Sequence, residues 1–140
     1  MMSPRTRTVS LDIASRLEML ETVQTVLGHV TAILGFNEDA AHYMSVAVRE
    51  SVVNAIKHGN RGNEKKRVKV SFVIHPKALE VAVLDEGPGF DPRRIPDPVA
   101  DENLLKADGR GIFFMRSFMD EVEYQPGAPN VLSMTKRVKA

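Results

Sequence analysis

The chain has 140 residues, 43% of them hydrophobic and 26% charged, which is enough apolar material for one sizeable core and too little length for a second domain. Nineteen basic residues against eighteen acidic ones leave a formal net charge of +1, so no broad positive field draws in nucleic acid or an acidic membrane. The lack of cysteine excludes disulfides, thiol catalysis and cysteine-ligated zinc; with no apolar run near the roughly 20 residues of a spanning helix and no signal-peptide core, a soluble cytoplasmic protein is expected.

Residues 5–11 alternate weakly between polar and apolar and predict a first strand. Leu17, Leu20, Val23, Val26, Leu27, Val30 and Leu34 recur at helical spacing, so a helix is expected over 15–34 with Gly35 ending it. Asn37, with Asp39 after it, can cap a second helix over 38–58 that stops at Gly59. In that helix residues four apart advance only ~40°, which predicts one polar row of Glu50, Asn54 and His58. Met44, Val48, Val52 and Ile56 form a separate apolar stripe roughly opposite, and Val46 and Val53 flank Glu50. The polar row is therefore expected under cover, where a carboxylate needs a task or a partner.

Residues 60–63 read as a loop, and the run Lys65-Lys66-Arg67 as a solvated stretch ahead of a strand. Two strands follow, over 67–75 and 79–84, joined as a hairpin at Pro76-Lys77-Ala78. In the second, Leu79, Val81 and Val83 point inward, and the same period carries Asp85 onto the inner face. Gly87-Pro88-Gly89 then turns the chain and leaves backbone bare enough for a planar ligand to approach. From Phe90 to Asp108 there is no period, and Pro92, Pro96 and Pro98 break any regular element. Irregular segments beyond about 12–15 residues are uncommon in compact domains and often functional, so a lid is expected at about 90–110. Gly109-Arg110-Gly111 precede a short helix over 112–119, whose N-terminal N–H groups would suit an anion. Strands over 122–124 and 131–138, with a turn at 126–129, complete the chain. Helices segregated from a largely antiparallel sheet give an α/β fold, a two-layer α/β sandwich.

Three ordered strings carry the chemistry: Glu50 with Asn54, then Asp85-Glu86-Gly87-Pro88-Gly89, then Gly109-Arg110-Gly111. Each is uninformative by itself, but together they resemble the GHKL ATP-binding family, which includes gyrase, Hsp90, histidine kinases, MutL and the anti-sigma factor serine kinases. The resemblance runs from about residue 38 to the end. Compact size, Asn103-Leu104-Leu105, the run from Gly109 to Arg116 and the run from Asp120 to Tyr124 are similar in particular to the last branch, of the sporulation and stress-response type.

The resemblance implies the Bergerat ATP-binding fold and ATP or ADP bound with Mg²⁺. Glu50 would orient or deprotonate the attacking group, either water or a serine hydroxyl on a partner. Asn54 would offer its amide oxygen to Mg²⁺, a hard cation that takes few protein ligands beside phosphate. Asp85 would accept a hydrogen bond from the adenine amine, Gly87 and Gly89 would let the base approach, and Gly109, Arg110 and Gly111 would hold phosphates. The implied partners are an anti-anti-sigma protein and a sigma factor, with no direct nucleic acid, and the family's habit implies a homodimer.

Ordinary explanations exist for each residue. Glu50 beside Arg49 could be a surface charge, Asn54 a buried cap, Asp85 a turn initiator, and Arg110 a solvated arginine between loop glycines. His58 could serve the row or simply meet the helix dipole. Their order and spacing favour the site. His29, His42 and His75 show no metal-ligand spacing, and the Walker and Rossmann patterns are absent. The expected function is a serine/threonine protein kinase that doubles as an anti-sigma factor. The alternative is a non-catalytic ATP-dependent binding module, and an ATPase without a protein substrate is a third.

Overall fold

The computed structural model describes residues 5–88 and 115–139. Five strands form one sheet in the order β1-β2-β3-β5-β4, with every neighbouring pair antiparallel. They are β1 (Arg7–Ala14), β2 (Arg67–His75), β3 (Ala78–Asp85), β4 (Glu121–Gln125) and β5 (Asn130–Arg137). Two helices pack on one face, α1 (Leu20–Leu34) and α2 (Glu38–Asn54), with a further helical turn at 115–118. This is the expected α/β sandwich.

Alternation decides which face is inner. In β2 the buried residues are Val68, Val70, Phe72 and Ile74; in β3 they are Leu79, Val81, Val83 and Asp85. Across from them stand Val23, Leu27 and Val30 of α1 and Met44, Val48 and Val52 of α2, all essentially sealed from solvent. The predicted apolar stripe of the second helix thus faces the sheet as a unit, Ile56 included.

The helix boundaries follow their local chemistry. Gly35 takes a left-handed φ of 78°, and its N–H returns to Ala32, ending α1. Asn37 Oδ1 then accepts the Ala40 N–H at 2.8 Å, and Glu38 and Asp39 occupy the positive first turn of α2.

Among the boundaries that differ from expectation, three have a local cause. The first strand runs to Ala14, because its pairing with β2 continues through Ile13 opposite Val68 and Ala14 opposite Arg67. Ser15 does not open the first helix; it is buried, its hydroxyl donates to the Lys66 carbonyl at 2.7 Å, and a 3₁₀ turn over Leu17–Met19 leads into α1. Leu17, placed on the apolar stripe by its spacing, is 46% exposed. Finally, Ala78 opens β3, so the hairpin turn is only Pro76-Lys77, closed by the His75–Ala78 pair. The expected lid at about 90–110 lies outside the described residues.

Phe72 is fully buried at the middle of β2, between Val9 of β1 and Val81 of β3. Phe72→Ala should destabilise the protein by about 3–5 kcal/mol, read as a lowered midpoint in urea unfolding with the slope retained.

Candidate functional site

One end of the sheet gathers the residues singled out by the sequence. The last residue of β3, Asp85, lies between Val68 of β2 and Asn130 of β5 and is 9% exposed. A buried carboxylate must be hydrogen-bonded to be tolerated. Its Oδ1 accepts the Gly87 N–H at 2.9 Å and the Asn130 Nδ2–H at 2.8 Å. Oδ2 receives no hydrogen bond from the described residues.

The end of α2 closes over the same spot. Past Asn54 the helix widens into a π-helical turn, Ala55–Gly59, in which the Asn60 N–H reaches back five residues to the Ala55 carbonyl at 2.8 Å. This turn brings Gly59 against the strand end. A Cβ on Gly59 would stand 2.5 Å from the Asp85 carboxyl carbon, and one on Gly87 would stand 1.7 Å from the Gly59 carbonyl oxygen. Neither position has room for a side chain. The bare backbone of Gly87 thus serves first to admit the helix end, a use its reading as a ligand-facing glycine had not anticipated.

Asn60 locks this contact. It is 1% exposed, its Nδ2 donates to Ser15 Oγ at 2.8 Å and to the Arg67 carbonyl at 2.9 Å, and its Oδ1 accepts the Glu86 N–H at 2.8 Å. The ends of β1 and β3, the start of β2 and the end of the helix are therefore joined through one amide. Glu86 itself turns outward and accepts the Arg67 N–H.

On α2, one turn apart, Glu50 and Asn54 are both half-buried. Asn54 Oδ1 is buried and has no hydrogen-bond partner among the described residues. An orphaned buried carbonyl-type oxygen costs about 1–3 kcal/mol, so such an atom is suited to a ligand that supplies what the described residues do not. A hard cation accompanied by phosphates fits such a donor. His58, expected on the same row, falls in the π turn and is exposed, whereas Glu50 and Asn54 are half-buried. Gly89, Gly109, Arg110 and Gly111 lie outside the described residues.

Asn60 and Asn130 were not expected as site residues. The second left a signal, since Asn is disfavoured in strands yet here opens one opposite Asp85. Asn60 was visible only as a loop residue after a helix-ending glycine.

The chain belongs to the histidine kinase-like ATPase domain family, whose model matches residues 13–136. Membership in an ATPase family implies that it binds ATP. Similar proteins include the serine-protein kinase RsbW of Listeria monocytogenes, 26% identical over 133 residues covering 89% of this chain and 85% of that one. The serine-protein kinase RsbW of Bacillus velezensis is 29% identical over 134 residues, covering 91% and 84%. A crystal structure of the RsbU and RsbW domains of a Mycobacterium tuberculosis protein shares the fold, with a TM-score of 0.65 at 17% identity. That match covers 94% of this chain and 32% of the other.

The glycine contact can be tested directly. Gly87→Ala and Gly59→Ala should each cost about 1–3 kcal/mol or more in urea unfolding, because backbone or a buried carboxylate must move. Pro88→Ala, at an exposed neighbouring position, should stay within about 0.5 kcal/mol. Unchanged midpoints for both glycine variants would mean that the helix end and the strand end are not in contact.

Proposed function

We propose that this chain is an ATP-dependent serine/threonine protein kinase of the anti-sigma type, which phosphorylates an anti-anti-sigma protein and sequesters a sigma factor. Its membership in the ATPase-domain family and its similarity over most of its length to serine-protein kinases named RsbW support this reading. The observation that carries it is the buried oxygen of Asn54, without a partner among the described residues and one helical turn from the carboxylate of Glu50. A purely structural helix has no use for that pair. A cytoplasmic location and a homodimer follow from the same family resemblance.

In this proposal Asp85 Oδ2 would accept the adenine amine, and Asn54 Oδ1 would hold Mg²⁺. The cation would neutralise charge on the phosphates. Gly109, Arg110 and Gly111 are assigned to the phosphates from their place in the sequence. Glu50 takes the proton of the partner's serine hydroxyl as its oxygen bonds to the γ-phosphorus and the bond to the β-phosphate oxygen breaks, leaving ADP. Guanine would present a carbonyl to Asp85 where adenine presents an amine, setting two acceptors face to face.

The test uses purified protein, labelled ATP and a serine-bearing candidate partner encoded beside it. Glu50→Ala should leave nucleotide binding nearly unchanged while transfer falls by about 10²–10⁴. Asn54→Ala should impair both. If the wild type transfers no phosphate to a partner that it binds, and Glu50→Ala leaves that binding intact, the chain acts as a nucleotide-dependent binding module instead. Calorimetry should also show strong preference for ATP over GTP, up to about 10⁴–10⁵ for a site built on a specific buried hydrogen bond. Comparable affinities would remove Asp85 from the base-binding role.

A further inference from the structure

Asp85 can select a base only if its carboxylate is held in one orientation, and its own side chain does not do this. The terminal torsion of an aspartate is broad and roughly two-fold, so its hydrogen bonds decide which oxygen faces where. Here Oδ1 receives two donors, the Gly87 N–H at 2.9 Å and the Asn130 amide at 2.8 Å. The same Asn130 amide donates to the Gly87 carbonyl at 2.8 Å. One side chain thus binds the acceptor and the turn beside it as a single unit.

The orientation of that amide is dictated by chemistry. Asn130 Oδ1 accepts the Gly127 N–H at 2.9 Å, and a backbone N–H can only donate. The nitrogen must then face the carboxylate and the carbonyl, both of which only accept. A flipped amide would set oxygen against oxygen on one side and N–H against N–H on the other. Asn130 is completely buried and has the Asp85 backbone as its cross-strand partner. Nothing but a planar group with two donors and an acceptor satisfies all three neighbours.

From this geometry we infer that Asn130 is a positioning residue for base selection: by occupying Oδ1 of Asp85 it leaves Oδ2 as the acceptor for the amine of adenine. This rests on the nucleotide site proposed above. Asn130 touches no substrate and acts through Asp85. A merely structural Asn130, tying the β4–β5 turn through Gly127, would hold the fold without affecting discrimination at position 6 of the purine.

The two roles separate in a comparison of ADP with purine riboside diphosphate, which carries hydrogen in place of the amine. The wild type should prefer ADP by on the order of ten- to a hundredfold, as for a hydrogen bond to a charged group. In Asn130→Ala that preference should shrink by about fivefold or more, with ADP losing affinity and purine riboside diphosphate nearly unaffected. Asn130→Ser, which keeps one short donor, should fall between them and carries the comparison if the alanine variant does not fold. In the wild type, ADP should also shift the Asn130 side-chain amide resonances more than purine riboside diphosphate does. If the variants weaken both ligands equally, or if both ligands shift those resonances alike, Asn130 is structural and the inference is overturned. A wild type that binds neither nucleotide would instead overturn the nucleotide site itself, a result distinct from a preference that survives the loss of Asn130.

Discussion

The buried carboxylate of Asp85 is the constraint around which this end of the molecule is organised. A charge placed at the inner end of a central strand is tolerated only with hydrogen bonds that replace water. The turn after the strand donates one from Gly87, and the neighbouring strand donates another from Asn130. The helix end covers the carboxylate closely enough that Gly59 admits no side chain. Three elements distant in sequence thus share one small polar centre, and each carries a residue chosen for it.

That centre also joins the two layers of the fold. Elsewhere helices and sheet meet through apolar packing, which is strong but indifferent to small shifts of register. At the site end they meet through backbone contact between Gly59 and Gly87 and through the amide of Asn60, which binds the ends of β1, β2 and β3 in fixed directions. The π turn over Ala55–Gly59 makes this possible, since it lets the chain leave the helix axis toward the strand end without losing its backbone hydrogen bonds. Glu50 and Asn54, on the regular part of the same helix, are consequently held in a defined relation to Asp85. The proposed site, which would place a base, a cation and an attacking group together, requires such a relation.

The apolar core is the frame that makes these directional contacts durable. Val68, Val70 and Phe72 of β2 and Val81 and Val83 of β3 are buried in one core with Met44, Val48 and Val52. The same helix therefore carries a buried apolar stripe and, on another side, the half-buried Glu50 and Asn54. Burial of the stripe sets the helix's rotation, and that rotation sets where the two polar residues point.

Periodicity and punctuation in the sequence were enough to determine the element order, the inner faces of β2 and β3, the cap at Asn37, the stop at Gly35 and the inward placement of Asp85. These are local matters, decided within a few residues by side-chain alternation, capping chemistry and the freedom of glycine. The alignment of Glu50 with Asn54 was legible for the same reason, while the π-helical turn that carries the exposed His58 was not, because an α-helix was expected through residue 58. Only the tertiary structure decided that Gly59 and Gly87 make room for each other, that Asn60 and Asn130 bracket the Asp85 turn, and that Asn54 keeps a buried oxygen without a partner among the described residues. Those features pair residues far apart in the chain, between 26 and 45 positions for the hydrogen bonds of Asn60 to Glu86 and of Asn130 to Asp85. A polar side chain's value in such a place depends on which donors and acceptors the fold brings within 3 Å of it, and no local pattern records that.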